Sequence, residues 1–211
     1  IRRADILMNI FFKGLYYFVK GIYYAAYNIK VEGRENLPDK PGFIIASNHR
    51  SFADPPLLAV TSGCAKFSFV AKEELFRNPF FGWLIRRLGA FPVARGKGDL
   101  KVIDESTDKI KHGRNLVIFP EGTRSKDGKV GRGKTGVALI AAKSGVPVVP
   151  AGIVFEGKLH FRSRITIKYG KPVMPEEIHV GDEPSPHELK EIKSRIMGEI
   201  KELVEGEDGR N

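Results

Sequence analysis

Five short apolar runs alternate with helical patterns along this chain, and that alternation restricts the fold more than any other feature. The runs are Phe43–Ser47, Lys66–Ala71, Leu116–Phe119, Val148–Phe155 and Ile165–Tyr169, each of strand length and bounded by turn residues. Between them Pro55–Thr61, Pro79–Leu88, Leu100–Lys111 and Thr135–Ser144 read as helices, and His187–Val204 closes the chain as an amphipathic helix. Strand and helix in alternation predict an α/β domain, a mixed β-sheet flanked by helices. Ligands of such sheets gather at the strand ends, in the loops that follow. No internal repeat or low-complexity linker interrupts the pattern. Residues 31–211 are therefore expected to form one domain, long enough to bury a core.

Residues 1–30 form a second, different segment. The stretch 6–29 is apolar and aromatic, with Phe11, Phe12, Tyr16, Tyr17, Phe18, Tyr23, Tyr24 and Tyr27. Lys13 and Lys20 interrupt it, so it lacks the run of about 18 uncharged residues needed to span a bilayer. On a helix, Arg2, Asn9, Lys13 and Lys20 fall within about 40° of one another, a narrow polar stripe on an aromatic cylinder. Gly14 and Gly21 lower helix propensity and mark places for a bend. Such a helix suits the headgroup zone, apolar face down and lysines to anionic lipid. The alternative is a helix packed on the protein's own core. A cleaved signal peptide fits poorly, because the lysines break the apolar region and no small-residue cleavage site follows. The chain starts with Ile rather than Met, which leaves room for further membrane-associating residues upstream.

Charge indicates the kind of partner. Lys and Arg number 35 against 25 Asp and Glu, a net +10. In the first 30 residues Arg2, Arg3, Lys13, Lys20 and Lys30 oppose Asp5 alone, whereas residues 182–211 are acidic and read as a solvated helix face. The remaining surplus lies in the α/β body. An anionic partner is implied: nucleic acid, a phosphorylated metabolite or a membrane surface. The single cysteine, Cys64, excludes an intramolecular disulfide framework and a cysteine-rich zinc site, and is expected to be a buried apolar residue.

Two loops after strands carry candidate chemistry. The first run leads into Asn48-His49-Arg50-Ser51-Phe52-Ala53-Asp54-Pro55. Asp54-Pro55 reads as a helix start, with Asp as N-cap and Pro at the first helical position. His49 and Asp54 would point about 140° apart on one helix, so they meet only if the chain turns between them. If they do, a carboxylate on one imidazole nitrogen fixes the tautomer and raises the basicity of the other, as in acyl-transfer catalysts. The plain alternatives are an N-cap and a surface histidine. The third run ends in Pro120-Glu121-Gly122-Thr123-Arg124-Ser125, where a glycine turn, hydroxyls and a guanidinium suit phosphate. Glu121 is the odd member, able to hold Arg124 or to accept from a substrate hydroxyl. A third stretch, Gly128–Thr135, matches the P-loop pattern letter for letter. Its context fails, because a P-loop follows directly on a strand and here Pro120–Asp127 intervenes.

Together these blocks resemble the glycerolipid acyltransferases, and among them the 1-acylglycerol-3-phosphate (lysophosphatidic acid) acyltransferases. Four blocks of that family recur in order over residues 43–153. They are Asn48–Pro55, with its His-x4-Asp core; Gly89-Ala90-Phe91-Pro92-Val93-Ala94-Arg95-Gly96; Phe119–Ser125; and Val146-Pro147-Val148-Val149-Pro150-Ala151-Gly152. The second departs from the commonest family wording, with Ala94 before Arg95 where Asp is frequent.

The resemblance implies that His49 is a general base acting on the glycerol 2-hydroxyl and that Asp54 orients it. It implies that Arg95, Glu121, Gly122, Thr123 and Arg124 place the phosphate of lysophosphatidic acid, and that the fourth block shapes the acyl-chain side of the pocket. Asn48, Ser51 and Lys134 are auxiliary candidates. The donor would be a thioester of coenzyme A or acyl carrier protein, with no metal and no cofactor. No Gly-x-Ser-x-Gly elbow occurs, so direct transfer without an acyl-enzyme is expected. The acceptor and product are membrane lipids, which places the enzyme on the cytoplasmic face of the cell membrane, as a peripheral or monotopic protein. Glycerol 3-phosphate or another lysolipid is the alternative acceptor. A basic nucleic-acid-binding module is the alternative from another class. Against it, the aromatics cluster at the N-terminus rather than alternating with Lys and Arg on strands.

Overall fold

The computed structural model describes residues 3–64, 66–93, 99–177 and 184–206, and of residues 3–12 and 99 the backbone alone. In chain order the elements are α1 (Arg3–Ala26), β1 (Asn28–Glu32), β2 (Ile44–Ser47), α2 (Asp54–Ser62), β3 (Phe67–Lys72), α3 (Pro79–Arg87) and β4 (Ala90–Val93). There follow α4 (Asp99–Lys111), β5 (Asn115–Ile118), α5 (Gly136–Ser144), β6 (Val148–Val154), β7 (Arg164–Tyr169) and α6 (Pro186–Glu205). Every strand and helix anticipated in the body is present, with its ends within one residue of expectation. Two strands were not anticipated. The sheet begins at Asn28, inside the segment assigned to the N-terminal helix, and β4 carries Pro92. Both are edge strands of the sheet, and at an edge a proline's missing N–H removes no ladder bond.

The seven strands lie in the order β1-β7-β6-β2-β5-β3-β4, parallel throughout except for the antiparallel pair β6 and β7. This is a mixed sheet with helices on both faces, as the alternation predicts. Strand β2 is central, and all four of its residues are buried. Ile44 and Ala46 pack toward the face covered by α4, α5 and α6, beside Leu116, Val137 and Ile196. Phe43 and Ile45 pack toward the other face with Val117, Val149 and the α2 residues Leu57 and Leu58. Such two-sided burial explains why β2 reads as an unbroken apolar run rather than an alternating one.

This topology positions the two loops singled out by sequence. β2 pairs in parallel with β5, Ala46 opposite Ile118, so both strands release their chains side by side at one edge of the sheet. β6 borders β2 on its other flank, Ser47 opposite Ala151. Asn48 fastens that side. Its Nδ2 donates to the Ile153 carbonyl at 2.9 Å and its Oδ1 accepts from the Ile153 N–H at 2.7 Å, all fully buried.

Helix α1 has two distinct faces. Tyr16 Oη donates to the Val60 carbonyl of α2 at 3.4 Å, and Tyr23 Oη to the Ala53 carbonyl at 3.2 Å. Tyr23 and Tyr27 pack against the core on the α2 side, and burial pushes the Tyr23 phenol upward. Tyr17, Phe18, Ile22 and Tyr24 remain exposed. Among the described residues no helix is long and apolar enough to cross a membrane.

Asn48→Ala strips both partners from the buried Ile153 amide group. It should cost about 2–4 kcal/mol of stability, read as a lowered urea midpoint at unchanged slope. A midpoint equal to wild type would show that this bridge contributes nothing.

Candidate active site

Three donors converge on one oxygen of Asp54. The Arg50 N–H lies 2.6 Å from Oδ2, the Ser51 N–H 2.7 Å and His49 Nδ1 2.8 Å. The carboxylate is fully buried, and Oδ1 has no hydrogen-bond partner among the described residues. This corrects the expectation of an N-cap. Ala53 occupies that position, and the Asp54 carboxylate reaches back to the preceding loop instead of forward into α2. The backward reach is what turns the chain and brings two side chains five residues apart into contact. With a carboxylate accepting at Nδ1, the proton resides there and Nε2 keeps its lone pair.

The rest of His49 is held as firmly. Its N–H donates to Glu121 Oε1 at 3.0 Å, and its carbonyl accepts from the Ser125 N–H at 2.8 Å. Phe119 stacks on the imidazole, centroids 4.1 Å apart and planes tilted by 20°. Phe119, Glu121 and Ser125 all come from the loop after β5. The parallel pairing of β2 with β5 is therefore what assembles the histidine's surroundings.

Glu121 is largely buried, and its second oxygen accepts from the Gly131 N–H at 2.9 Å. Both oxygens are thus engaged by backbone, one on each of two loops. The P-loop-like stretch acquires a different meaning here. A Cβ at Gly131 would lie 2.7 Å from Glu121 Oε2, one at Gly128 3.0 Å from the Arg50 guanidinium, and one at Gly133 2.5 Å from Met197 Sδ. These glycines let the loop pack closely against three different neighbours, and the Gly131 amide that a P-loop would offer to phosphate is given to Glu121.

His49 lines a cavity of about 2330 Å³. Gly122, Thr123, Arg124, Ser125, Lys134 and Thr135 line it too, as does Gly136 at the start of α5. Gly122 adopts φ +69°, and Lys134 Cε lies 3.2 Å from where a Cβ at 122 would stand, so the lysine lies across the turn. The Arg124 guanidinium sits 3.7 Å over the exposed Phe52 ring. Stacking uses the face of the guanidinium and leaves its in-plane donors for an oxyanion. Arg50, by contrast, is committed elsewhere. It donates to the carbonyls of Phe155 and Gly157 and stacks over Phe155, and burial lowers its pKa. The remaining walls are mainly apolar, among them Phe69, Val70, Leu84, Leu88, Val102 and Ile140.

Of the residues singled out by sequence, His49, Gly122, Thr123, Arg124 and Lys134 meet at this cavity. Asp54 and Glu121 stand behind it, each touching His49. Ser51 accepts the Ala53 N–H on its hydroxyl at 3.1 Å and shapes the turn. Arg95 lies outside the described residues; β4, which leads to it, is parallel to β3 and ends at Val93 on the same edge of the sheet. The fourth block does not line the cavity. Val148–Ala151 is buried in β6, so the apolar walls come instead from strands β3, β4 and β5 and from helices α1 to α5. Cys64 is half-buried rather than fully buried, and burial raises its thiol pKa. Sequence reasoning gave no role to Phe119 or Phe52, although both fall within the quoted blocks.

A histidine oriented by a buried acid at the end of a parallel strand, facing a cavity with a basic wall, suits general-base chemistry on an anionic ligand. A family model described as Acyltransferase matches residues 28–154, and the chain belongs to that family. It is 38% identical over 140 residues to a chloroplastic 1-acyl-sn-glycerol-3-phosphate acyltransferase of Arabidopsis thaliana, a match covering 64% of this chain and 38% of that one. It is 32% identical over 179 residues to the 1-acyl-sn-glycerol-3-phosphate acyltransferase of Bacillus subtilis, covering 83% and 87%. The crystal structure of the 1-acyl-sn-glycerophosphate (LPA) acyltransferase PlsC from Thermotoga maritima superposes with a TM-score of 0.71 at 30% identity, over 97% of this chain and 84% of that one. The match with the plant relative spans well under half of that protein's length.

Gly131→Ala should push the Glu121 carboxylate off the His49 amide and lower turnover by on the order of 10- to 100-fold. Gly198→Ala, in α6 with open space at its Cβ, serves as the control and should leave turnover unchanged. Equal turnover in both variants would remove Glu121 from the positioning of His49.

Proposed function

We propose that the protein transfers a fatty acyl chain from a thioester of coenzyme A or acyl carrier protein to the sn-2 hydroxyl of 1-acylglycerol 3-phosphate, forming phosphatidic acid. The observation that carries this reading is the 2.8 Å contact between His49 Nδ1 and the buried Asp54 carboxylate, on a histidine that lines the cavity. His49 Nε2 takes the proton from the acceptor hydroxyl as its oxygen attacks the thioester carbonyl carbon. The tetrahedral adduct then collapses, the carbon–sulfur bond breaks, and the imidazolium returns the proton to the departing thiolate. The sum is an ester and a free thiol, with no acyl-enzyme. A raised thiol pKa makes Cys64 a poor competing nucleophile.

The phosphate is read by Arg124 and Lys134, across the turn at Gly122 and Thr123, beside the positive end of α5. Arg95 is proposed as a further ligand on the strength of the family block. Glu121 contributes through His49 and Gly131. Apolar walls suit the acyl chain, each buried methylene contributing about 0.8 kcal/mol. The names of the relatives support this acceptor over glycerol 3-phosphate. We place the enzyme peripherally at the cytoplasmic membrane face, with the exposed side of α1 toward lipid and its lysines toward anionic headgroups.

Release of free thiol from palmitoyl-coenzyme A in the presence of lysophosphatidic acid tests the reaction. His49→Ala should lose on the order of 100-fold or more in turnover, and near-normal turnover would remove His49 from the mechanism. Arg124→Ala should raise the acceptor KM by about tenfold or more with a smaller change in kcat, and an unchanged KM would refute the phosphate role. On α1, Phe18→Ser with Ile22→Ser tests the lipid face better than deletion of the helix, which would also strip Tyr23 and Tyr27 from the core. Sedimentation with phosphatidylglycerol vesicles should fall in this variant; sedimentation equal to wild type would exclude that face.

A further inference from the structure

Helix α3 inverts the usual pattern of a surface helix. Its one buried residue is Gly82, whose missing Cβ would lie 2.8 Å from the Phe76 carbonyl oxygen. The helix therefore rests on the preceding turn through its backbone and turns its aromatic side chains outward. Phe80 is 74% exposed and Trp83 47%, and their rings stack at 6.4 Å with planes 28° apart. Phe81 and Leu88 are also exposed. Much of this aromatic slab stays in water, and an exposed apolar patch of this kind marks an interaction surface.

The charge along the helix is of one sign, with Glu73 and Glu74 confined to the turn before it. No acid occurs between Glu74 and Asp99, a stretch that contains Arg77, Arg86 and Arg87. All three arginines are exposed. The Arg87 guanidinium lies 5.8 Å from the centre of the Trp83 ring, and that of Arg86 lies 4.7 Å from the centre of Phe76. Aromatic rings flanked by guanidinium groups are the composition of a helix lying in an anionic lipid interface. The position fits as well. Phe81, Leu84, Ile85 and Leu88 of α3 line the cavity, and so do Lys13, Tyr16, Tyr17 and Val19 of α1. The two helices thus line one cavity.

We propose that α3 is a second membrane-contact element, seated in the anionic headgroup layer through Phe80 and Trp83, so that the cavity opens to the bilayer between α1 and α3. An amphiphilic ligand could then pass between bilayer and cavity without crossing water. The inference rests on the proposed function only for the choice of a lipid surface as the occupant. Its evidence is α3's own side chains and charge.

Trp83 is the only tryptophan, so the unmodified protein reports on the contact. With phosphatidylglycerol-containing vesicles, its emission should shift to the blue and be quenched by lipids brominated on the acyl chain, and pure phosphatidylcholine should give less of both. Phe80→Ser keeps the reporter and leaves the cavity lining intact. It should weaken vesicle partitioning by about tenfold while acyl transfer between short-chain, water-soluble substrates is unchanged. Unshifted, unquenched emission from protein that sediments with the vesicles would overturn the proposal, since α1 alone would then hold the surface. A lipid-independent blue shift that grows with protein concentration would also overturn it, in favour of a second copy covering the slab. Absence of acyl transfer in the wild type would instead count against the proposed reaction and leave the Trp83 readout standing.

Discussion

One buried carboxylate oxygen shapes the centre of this molecule. Asp54 Oδ2 gathers two backbone amides and an imidazole nitrogen within 2.8 Å, all from the three residues 49–51. A loop that satisfies this oxygen must curl back on the start of α2, and the curl presents the far side of the His49 ring to the cavity. Leaving such an acid without its donors in a buried place would be costly, so the geometry of the loop and the solvation of the carboxylate are one constraint. The second carboxylate, Glu121, extends the arrangement from one loop to three. It joins the chain after β2, the chain after β5 and the glycine-rich stretch before α5.

Much of this was legible in the sequence, for a physical reason. Strands buried on both faces are nearly continuous apolar runs, so β2, β5 and β6 announce themselves, and the motifs follow directly on the ends of β2 and β5. The two edge strands were not legible, because β1 is half polar and β4 carries Pro92 in so short a run. The role of Asp54 was half legible. Its pairing with His49 was anticipated, but the direction of its other hydrogen bonds was not, since an Asp-Pro pair reads equally well as a cap. Glu121 was misleading at sequence level. An acid among phosphate-binding residue types invites a substrate contact, and only the proximity of His49 and Gly131, 72 and 10 residues away along the chain, reveals the amides it accepts from. The buried fourth block shows the same limit. Proximity in sequence order to three site blocks did not place it at the cavity.

The net charge of +10 also resolves into parts with different tasks. Arg50 is taken up by carbonyls at the end of β6. Arg124 and Lys134 stand on the cavity wall. Arg77, Arg86 and Arg87 surround the exposed aromatic slab of α3, and Lys13 and Lys20 punctuate α1. A basic chain of this length invites a nucleic-acid reading. These cations instead stand at one cavity and on two aromatic helices that line it, which suits a ligand with an anionic head and an apolar tail.

Asp54 is expected to act through His49 and not on its own. A double-mutant cycle on thiol release measures this directly, with kcat determined for wild type, His49→Ala, Asp54→Asn and the double variant. Each single change should be severe and the double variant no slower than His49→Ala, because without the imidazole there is nothing left for the carboxylate to orient. Losses that multiply in the double variant would contradict it.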